Sequence, residues 1–163
     1  MIRIRETARR GIVDVRRSIK KLRPDDLEKL PFKDAIMNMT TGFAASSGVD
    51  VSFTIVGLPK ELREDQQEVL YRVMQESLTN AYRHGGASRV NISIGGGDGR
   101  LRIVIADNGR GCDDVKPGFG LRHMRERLEL LHGTLNYWSD EGFIVEVEIP
   151  LNREVHDDKH IDS

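Results

Sequence analysis

Two pairs of alternating apolar runs, each pair joined by turn residues, constrain this chain more than any other feature of it. RVNISI at 89–94 is followed by the glycine-rich turn GGGDG and by LRIVIADNG, and TLNYWSDEGFIVEVEIP at 134–150 repeats the arrangement. Side chains on a strand alternate between two faces, so each run carries one apolar face that must be covered. Both pairs read as hairpins, which imply antiparallel pairing. A further run, VDVSFTIVG at 49–57, puts Val51, Phe53 and Ile55 on one face and reads as another strand.

Helical patterns supply the cover. Ala35, Ile36, Met39 and Phe43 fall at helical spacing between Lys33 and Ala45, and Gly48 closes that segment. A long helix is predicted from Glu64 to His84, with Leu70, Met74, Leu78 and Ala81 on its apolar face. A third helix is predicted over LRHMRERLELLH at 121–132. Helices first, then strands mixed with helices, define an α+β domain: a two-layer α/β sandwich with helices on one face of a mostly antiparallel sheet.

The segment before this domain has a different character. Ala8, Ile12, Val15, Ile19 and Leu22 make one narrow helical stripe, surrounded by Arg16, Arg17, Lys20, Lys21 and Arg23 and stopped at Pro24. Such a helix either packs on its own domain or, as its narrow stripe favours, forms a seam with a partner helix. The organisation expected is a stalk helix at 1–24, a globular domain at 32–151 and a frayed polar tail at 152–163. In the tail His156, Asp157 and His160 have a spacing that can hold a metal, but nothing marks the segment as ordered enough to do so.

Composition removes several function classes. With 25 Lys and Arg against 26 Asp and Glu there is no basic surplus for nucleic acid or an anionic membrane. The single cysteine, Cys112, excludes an internal disulfide framework and a multi-cysteine zinc site and fits a reducing cytosolic compartment. No run reaches the roughly 18 apolar residues of a membrane span. The arginine-rich start lacks the serines of a transit peptide and includes Glu6 and Asp14.

Three local patterns carry chemistry. Glu76, Asn80 and His84 are spaced by four on the long helix, along an edge distinct from its apolar face. Taken alone they read as an ordinary hydrated edge. DNGRG at 107–111 ends an apolar strand, where the carboxylate of Asp107 can accept from the exocyclic amine of a base and Gly109 and Gly111 let backbone approach a flat ligand; it reads equally as a turn. GFGLRHMRERL at 118–128 puts Gly118 and Gly120 at a helix entrance, whose free N–H groups favour phosphate, with Arg122, Arg125 and Arg127 adding charge. Their order along the chain suits a metal-holding helix edge, a base reader and a phosphate-facing helix mouth.

Together the three resemble a known set. QESLTNAYRH at 75–84 resembles the N box, DNGRG the G1 box and GFGL at 118–121 the G2 box of the ATPase family shared by histidine kinases, gyrase, heat-shock protein 90 and mismatch-repair proteins. VRRSIKKLRP together with GFGLRHMRERL is similar to the histidine kinases of the nitrate-sensor and desaturase-thermosensor type. The resemblance implies a Bergerat-type ATP-binding fold preceded by the second helix of a dimerisation stalk. It implies ATP and Mg2+ as cofactors, with Asn80 as the magnesium ligand and Glu76 orienting a metal-bound water or the reacting phosphate. Asp107 becomes the adenine reader, Gly109 and Gly111 shape the base pocket, Gly118 and Gly120 form the base of the lid over the phosphates, Leu121 of the G2 box is cofactor-binding, and His84 stands near the phosphates.

The activity implied is transfer of the ATP γ-phosphate to a histidine on a stalk helix that this chain lacks. Implied partners are a second copy through the stalk and a response regulator with a helix-turn-helix output domain, with no nucleic acid and no membrane insertion by this segment. The implied setting is the cytosolic part of a membrane-anchored sensor. Two departures stand out: Gly142-Phe143 occupies the place of the family's frequent Gly-Thr, and no histidine followed by an acidic residue precedes the catalytic domain. Competing readings are a serine kinase of the anti-sigma-factor type, against which the LRP-terminated helix argues, and a non-catalytic nucleotide-binding dimerisation module, against which Glu76, Asn80 and Asp107 argue.

Overall fold

The computed structural model describes residues 25–114 and 116–152. The stripe at residues 8–22 and the His156/His160 pair lie outside the described residues. In chain order the elements are α1 (Asp25–Lys29), α2 (Phe32–Ser47), β1 (Asp50–Val56), α3 (Glu64–Asn80), a π-helical turn (Ala81–Gly85), β2 (Arg89–Gly97), β3 (Arg100–Asp107), α4 (Phe119–Glu129), β4 (Thr134–Ser139) and β5 (Phe143–Pro150). The strands form one sheet in the order β1-β2-β3-β5-β4. β1 and β2, joined through α3, run parallel, and every other neighbouring pair is antiparallel.

Register turns the alternating sequence into an inner face. Phe53, Ile92, Ile105, Val145 and Tyr137 lie side by side across all five strands, and Ile55, Ile94, Ile103, Val147 and Leu135 form the next row. Most of these side chains are buried. The opposite face is polar at its centre, where Arg102 pairs with Glu146 and Arg100 with Glu148.

The helices cover the apolar rows. Leu70, Tyr71, Val73, Met74 and Leu78 of α3, Leu121, Met124 and Leu128 of α4, and Phe32, Ala35, Ile36 and Met39 of α2 are all buried. The expected α+β sandwich is what forms, and the apolar positions read from α3 all point inward. Gln66 fixes the start of α3: its Oε1 accepts from the Arg63 backbone N–H at 3.1 Å, and its Nε2 donates to the Pro150 carbonyl of β5 at 3.0 Å.

Several boundaries differ from expectation. The long helix is α-helical only to Asn80, and the five residues that follow, Ala81–Gly85, wind as the π turn. The third helix starts two residues earlier than expected, at Phe119, and ends at Glu129. Gly95, Gly96 and Gly97 belong to β2 and pair with Arg102, Leu101 and Arg100, so the turn is Asp98-Gly99 alone. Lack of side chains suits the strand there, because a Cβ on Gly96 would strike the backbone of Gly57. α1, a single turn, was not foreseen.

Burial pushes the Tyr71 hydroxyl up to about 12 from 10.0, with the Asp26 carboxylate adding to the rise and Arg72 partly offsetting it. The folded state therefore holds this proton more tightly than the unfolded chain. The stability it contributes is complete below about pH 10 and is lost as the pH rises toward 12. Denaturant melts between pH 8 and 12 should show that alkaline loss in the parent protein and a flatter profile in Tyr71→Phe, whose stability at neutral pH should change by about 1 kcal/mol.

Candidate functional site

The inner-face positions of β3 are Leu101, Ile103, Ile105 and then Asp107. A strand that alternates has no choice at this point: its last inward residue is a carboxylate, level with Val90 of β2 and past the end of the apolar rows. Beside it, between α3 and the start of α4, is a cavity of about 540 Å³. Glu76 and Asn80 line it from α3, and His84 reaches it from the π turn. Although the π turn abandons α-helical spacing after Asn80, all three residues face the same space. Glu76 and Asn80 are half-buried and His84 is exposed.

Asp107 is held by backbone. Its Oδ1 accepts from the N–H of Gly109 at 2.8 Å and from the N–H of Phe143 at 3.2 Å, leaving Oδ2 without a hydrogen bond among the described residues. The next residue braces the strand end: Asn108 Oδ1 accepts from the N–H groups of Ser88 (3.0 Å) and Arg89 (2.8 Å), and its Nδ2 donates to Ser88 Oγ at 3.0 Å. Ser139 does the same for the following loop, accepting from the Cys112 N–H at 3.0 Å and donating to the Gly142 carbonyl at 2.7 Å.

The glycines serve close packing of protein on protein. Gly109 does not line the cavity; a Cβ there would press into the backbone of Gly85, whose carbonyl accepts from Arg110 N–H at 3.0 Å. Gly111 lines the cavity with φ +65° and lies against Ser139 and Gly142. Gly118 caps α4 at the cavity, Leu121 closes the wall behind it, and Gly120 leaves room for the Glu76 carboxylate, which a Cβ would strike. α3 and α4 thus meet through a carboxylate and a glycine at the cavity edge.

Sequence reasoning did not assign Gly85, Cys112, Asp114, Lys116 or Phe119 to the cavity, and saw Phe143 only as a departure. Phe143 lines the wall, with its ring stacked on Tyr137 at 6.1 Å between centroids, and the Arg125 guanidinium lies 5.8 Å from the Tyr137 ring on α4's side. Asn108 and Ser139 were also missed, and the only local signal for the first was its place within DNGRG. Arg122, expected to add charge near phosphate, lies over the exposed Phe119 ring at 5.7 Å.

Residues 65–153 match the family of histidine kinase-, DNA gyrase B- and HSP90-like ATPases. The chain belongs to this family, and the matched region is an ATP-binding domain. It is 33% identical over 138 residues to the sensor histidine kinase MctS of Rhizobium johnstonii, covering 81% of this chain and 30% of that protein. It is 33% identical over 146 residues to the sensor histidine kinase LnrJ of Bacillus subtilis, covering 88% of this chain and 36% of that protein. The chain thus spans about a third of the length of these curated relatives. Its fold is that of the blue-light activated histidine kinase EL346 of Erythrobacter litoralis, with a TM-score of 0.64 at 23% identity over 75% of this chain and 46% of the other. None of the described helices is long and apolar enough to cross a membrane.

Gly142 tests the clamp on Asp107. Its φ of +145° is a conformation that side chains rarely adopt, and a Cβ would collide with the Asp107 carbonyl. Gly142→Ala should therefore lower stability by roughly 2 kcal/mol or more in denaturant melts and, under conditions where it stays folded, weaken nucleotide binding by displacing the Phe143 N–H.

Proposed function

We propose that this chain is the ATP-binding catalytic domain of a sensor histidine kinase and that it transfers the γ-phosphate of ATP to a histidine carried on a helical stalk. One observation carries the reading furthest: Asp107, at a cavity bounded by Glu76, Asn80 and the start of α4, is fixed through Oδ1 by two backbone N–H groups while Oδ2 has no hydrogen bond among the described residues. A fixed, purely accepting oxygen suits the exocyclic amine of adenine. Phe143 gives that end of the cavity apolar surface for a flat base.

The donor set at the opposite side fits magnesium held jointly with phosphate. Among the described residues no group of three or more His, Cys, Asp or Glu side chains can hold a metal by itself. Magnesium keeps several waters and takes only one or two protein ligands when phosphates supply the rest. The Asn80 amide oxygen with the Glu76 carboxylate four residues earlier meets that requirement. When bound, the ion neutralises charge that develops on the phosphoryl oxygens.

The chain's own residues then have distinct tasks. Asp107 orients the base, Asn80 fixes the metal against the triphosphate, and Glu76 holds a metal-bound water or the reacting phosphate in line. Gly118, Gly120 and Leu121 set the mouth of α4, where unpaired N–H groups favour anionic oxygens. His84 stands at the outer edge of the same wall. Catalysis of this kind is positioning and electrostatic stabilisation, so the stalk must bring its histidine into line with the γ-phosphate. The remaining parts of the reading are a dimer through the stalk, a response regulator with a helix-turn-helix output domain, and a cytosolic position in a membrane-anchored sensor.

Asn80→Ala should leave the fold intact, because the side chain is on the polar edge of α3, and should weaken Mg-ATP binding by about tenfold or more in calorimetry. Unchanged affinity in a folded variant removes Asn80 from the metal site. With labelled ATP, the chain alone should acquire no acid-labile label, whereas an added two-helix stalk bearing a histidine should become labelled, and the label should be lost with Asn80→Ala. Acid-labile label on this chain alone would place the acceptor here. Label on an added anti-sigma-type substrate instead would favour serine kinase chemistry.

A further inference from the structure

Gly120 stands within α4, yet its backbone does not call for glycine. Its φ lies outside the left-handed region, and glycine inside a helix is less favourable than alanine. What a side chain there would meet also sets it apart from other packed glycines of the site. Gly109 and Gly142 abut backbone, which yields little. The three atoms nearest a Cβ on Gly120 all belong to the Glu76 side chain: Oε1, which it would overlap, Cδ at 3.0 Å and Cγ at 3.3 Å. The carboxylate from α3 thus occupies a notch in α4 that glycine leaves open.

No hydrogen bond or ion pair holds the Glu76 carboxylate among the described residues. A glutamate without such a partner has several rotamers open to it, each of which puts its charge in a different place. Shape is then what restrains it. Glu76 and Gly120 both line the cavity, and Asn80, one turn further along α3, lines the same wall.

We propose that Gly120 is a positioning residue for Glu76: the space at its Cα holds the carboxylate in the orientation that phosphoryl transfer uses. The inference rests on the ATP reading above and gives this glycine a task distinct from setting the helix mouth. Because the notch belongs to α4, the start of that helix also decides where the Glu76 charge lies. A methyl group at 120 displaces only the far end of a flexible side chain, so the fold survives while the carboxylate is misplaced.

The test is a double-mutant cycle in the full chain, with Gly120→Ala, Glu76→Asp and the two combined. Each protein is titrated with Mg-ATP by calorimetry, melted, and assayed at saturating ATP for label on an added two-helix stalk bearing a histidine. Gly120→Ala should bind ATP within about twofold of the parent while its labelling rate falls about tenfold or more, because a misplaced group costs rate before affinity. Glu76→Asp should also label slowly, its carboxylate being one methylene short. Aspartate does not reach the notch, so adding Gly120→Ala to Glu76→Asp should slow labelling by less than about twofold further. Any loss of melting temperature in Gly120→Ala should likewise disappear in the Glu76→Asp background. Losses that multiply in the double variant, or a fall in ATP affinity equal to the fall in labelling, overturn the proposal and leave the ATP reading intact. A melting loss that Glu76→Asp does not relieve overturns it as well. A parent protein that labels no stalk overturns the transfer reading, and the proposal with it.

Discussion

At the end of β3 the apolar inner face of the sheet gives way to a polar site, and the hydrogen bonds on Asp107 Oδ1 hold that transition in place. The two donors come from different parts of the chain: Gly109 follows β3 directly, and Phe143 begins β5. A half-buried carboxylate still loses hydration that donors must replace, and backbone N–H groups do so without adding a counter-charge that would neutralise the other oxygen. The loop after β3 and the β4–β5 hairpin must therefore sit where their amides point at one oxygen. Asn108 and Ser139 enforce that arrangement from either side, the first tying the end of β3 to the start of β2, the second tying Cys112 to Gly142.

How much of this was legible in the sequence follows from how far each signal reaches. The edge formed by Glu76 and Asn80 was readable because helical spacing depends only on neighbours, and the inward aim of Asp107 follows from strand alternation. The π turn left no mark, since its hydrogen-bond shift alters neither composition nor apolar spacing. Gly95 to Gly97 were misread because a glycine run looks the same whether it forms a turn or lets one backbone approach another. Asn108 and Ser139 act on partners 20 and 27 residues away, a pairing that a local pattern does not contain.

Glycines of the G1-like loop meet a physical constraint other than the one read from the sequence. They were read as clearing space for a flat ligand, yet Gly109 is packed on Gly85 and Gly111 on Ser139 and Gly142. Their missing side chains allow three backbone segments to converge, and convergence is what delivers two N–H groups to Asp107. On the proposed reading the ligand benefits indirectly, through a carboxylate whose position is already determined before binding.

The replacement of threonine by Phe143 fits the same logic. What β5 gives Asp107 is a backbone N–H, which any residue but proline provides, so the clamp does not depend on the side chain. The side chain decides instead what surrounds the free oxygen. A hydroxyl there would offer a second polar group to hold water at the base end; a phenyl ring offers apolar surface, stacked on Tyr137. On the proposed reading, base recognition in this chain is narrowed to one fixed acceptor, Oδ2 of Asp107, beside an aromatic wall. Since Tyr137 also receives Arg125 from α4, that wall is continuous with the helix whose first turn forms the phosphate-side mouth. On that reading the base end and the phosphate end of the cavity are built on one packed unit.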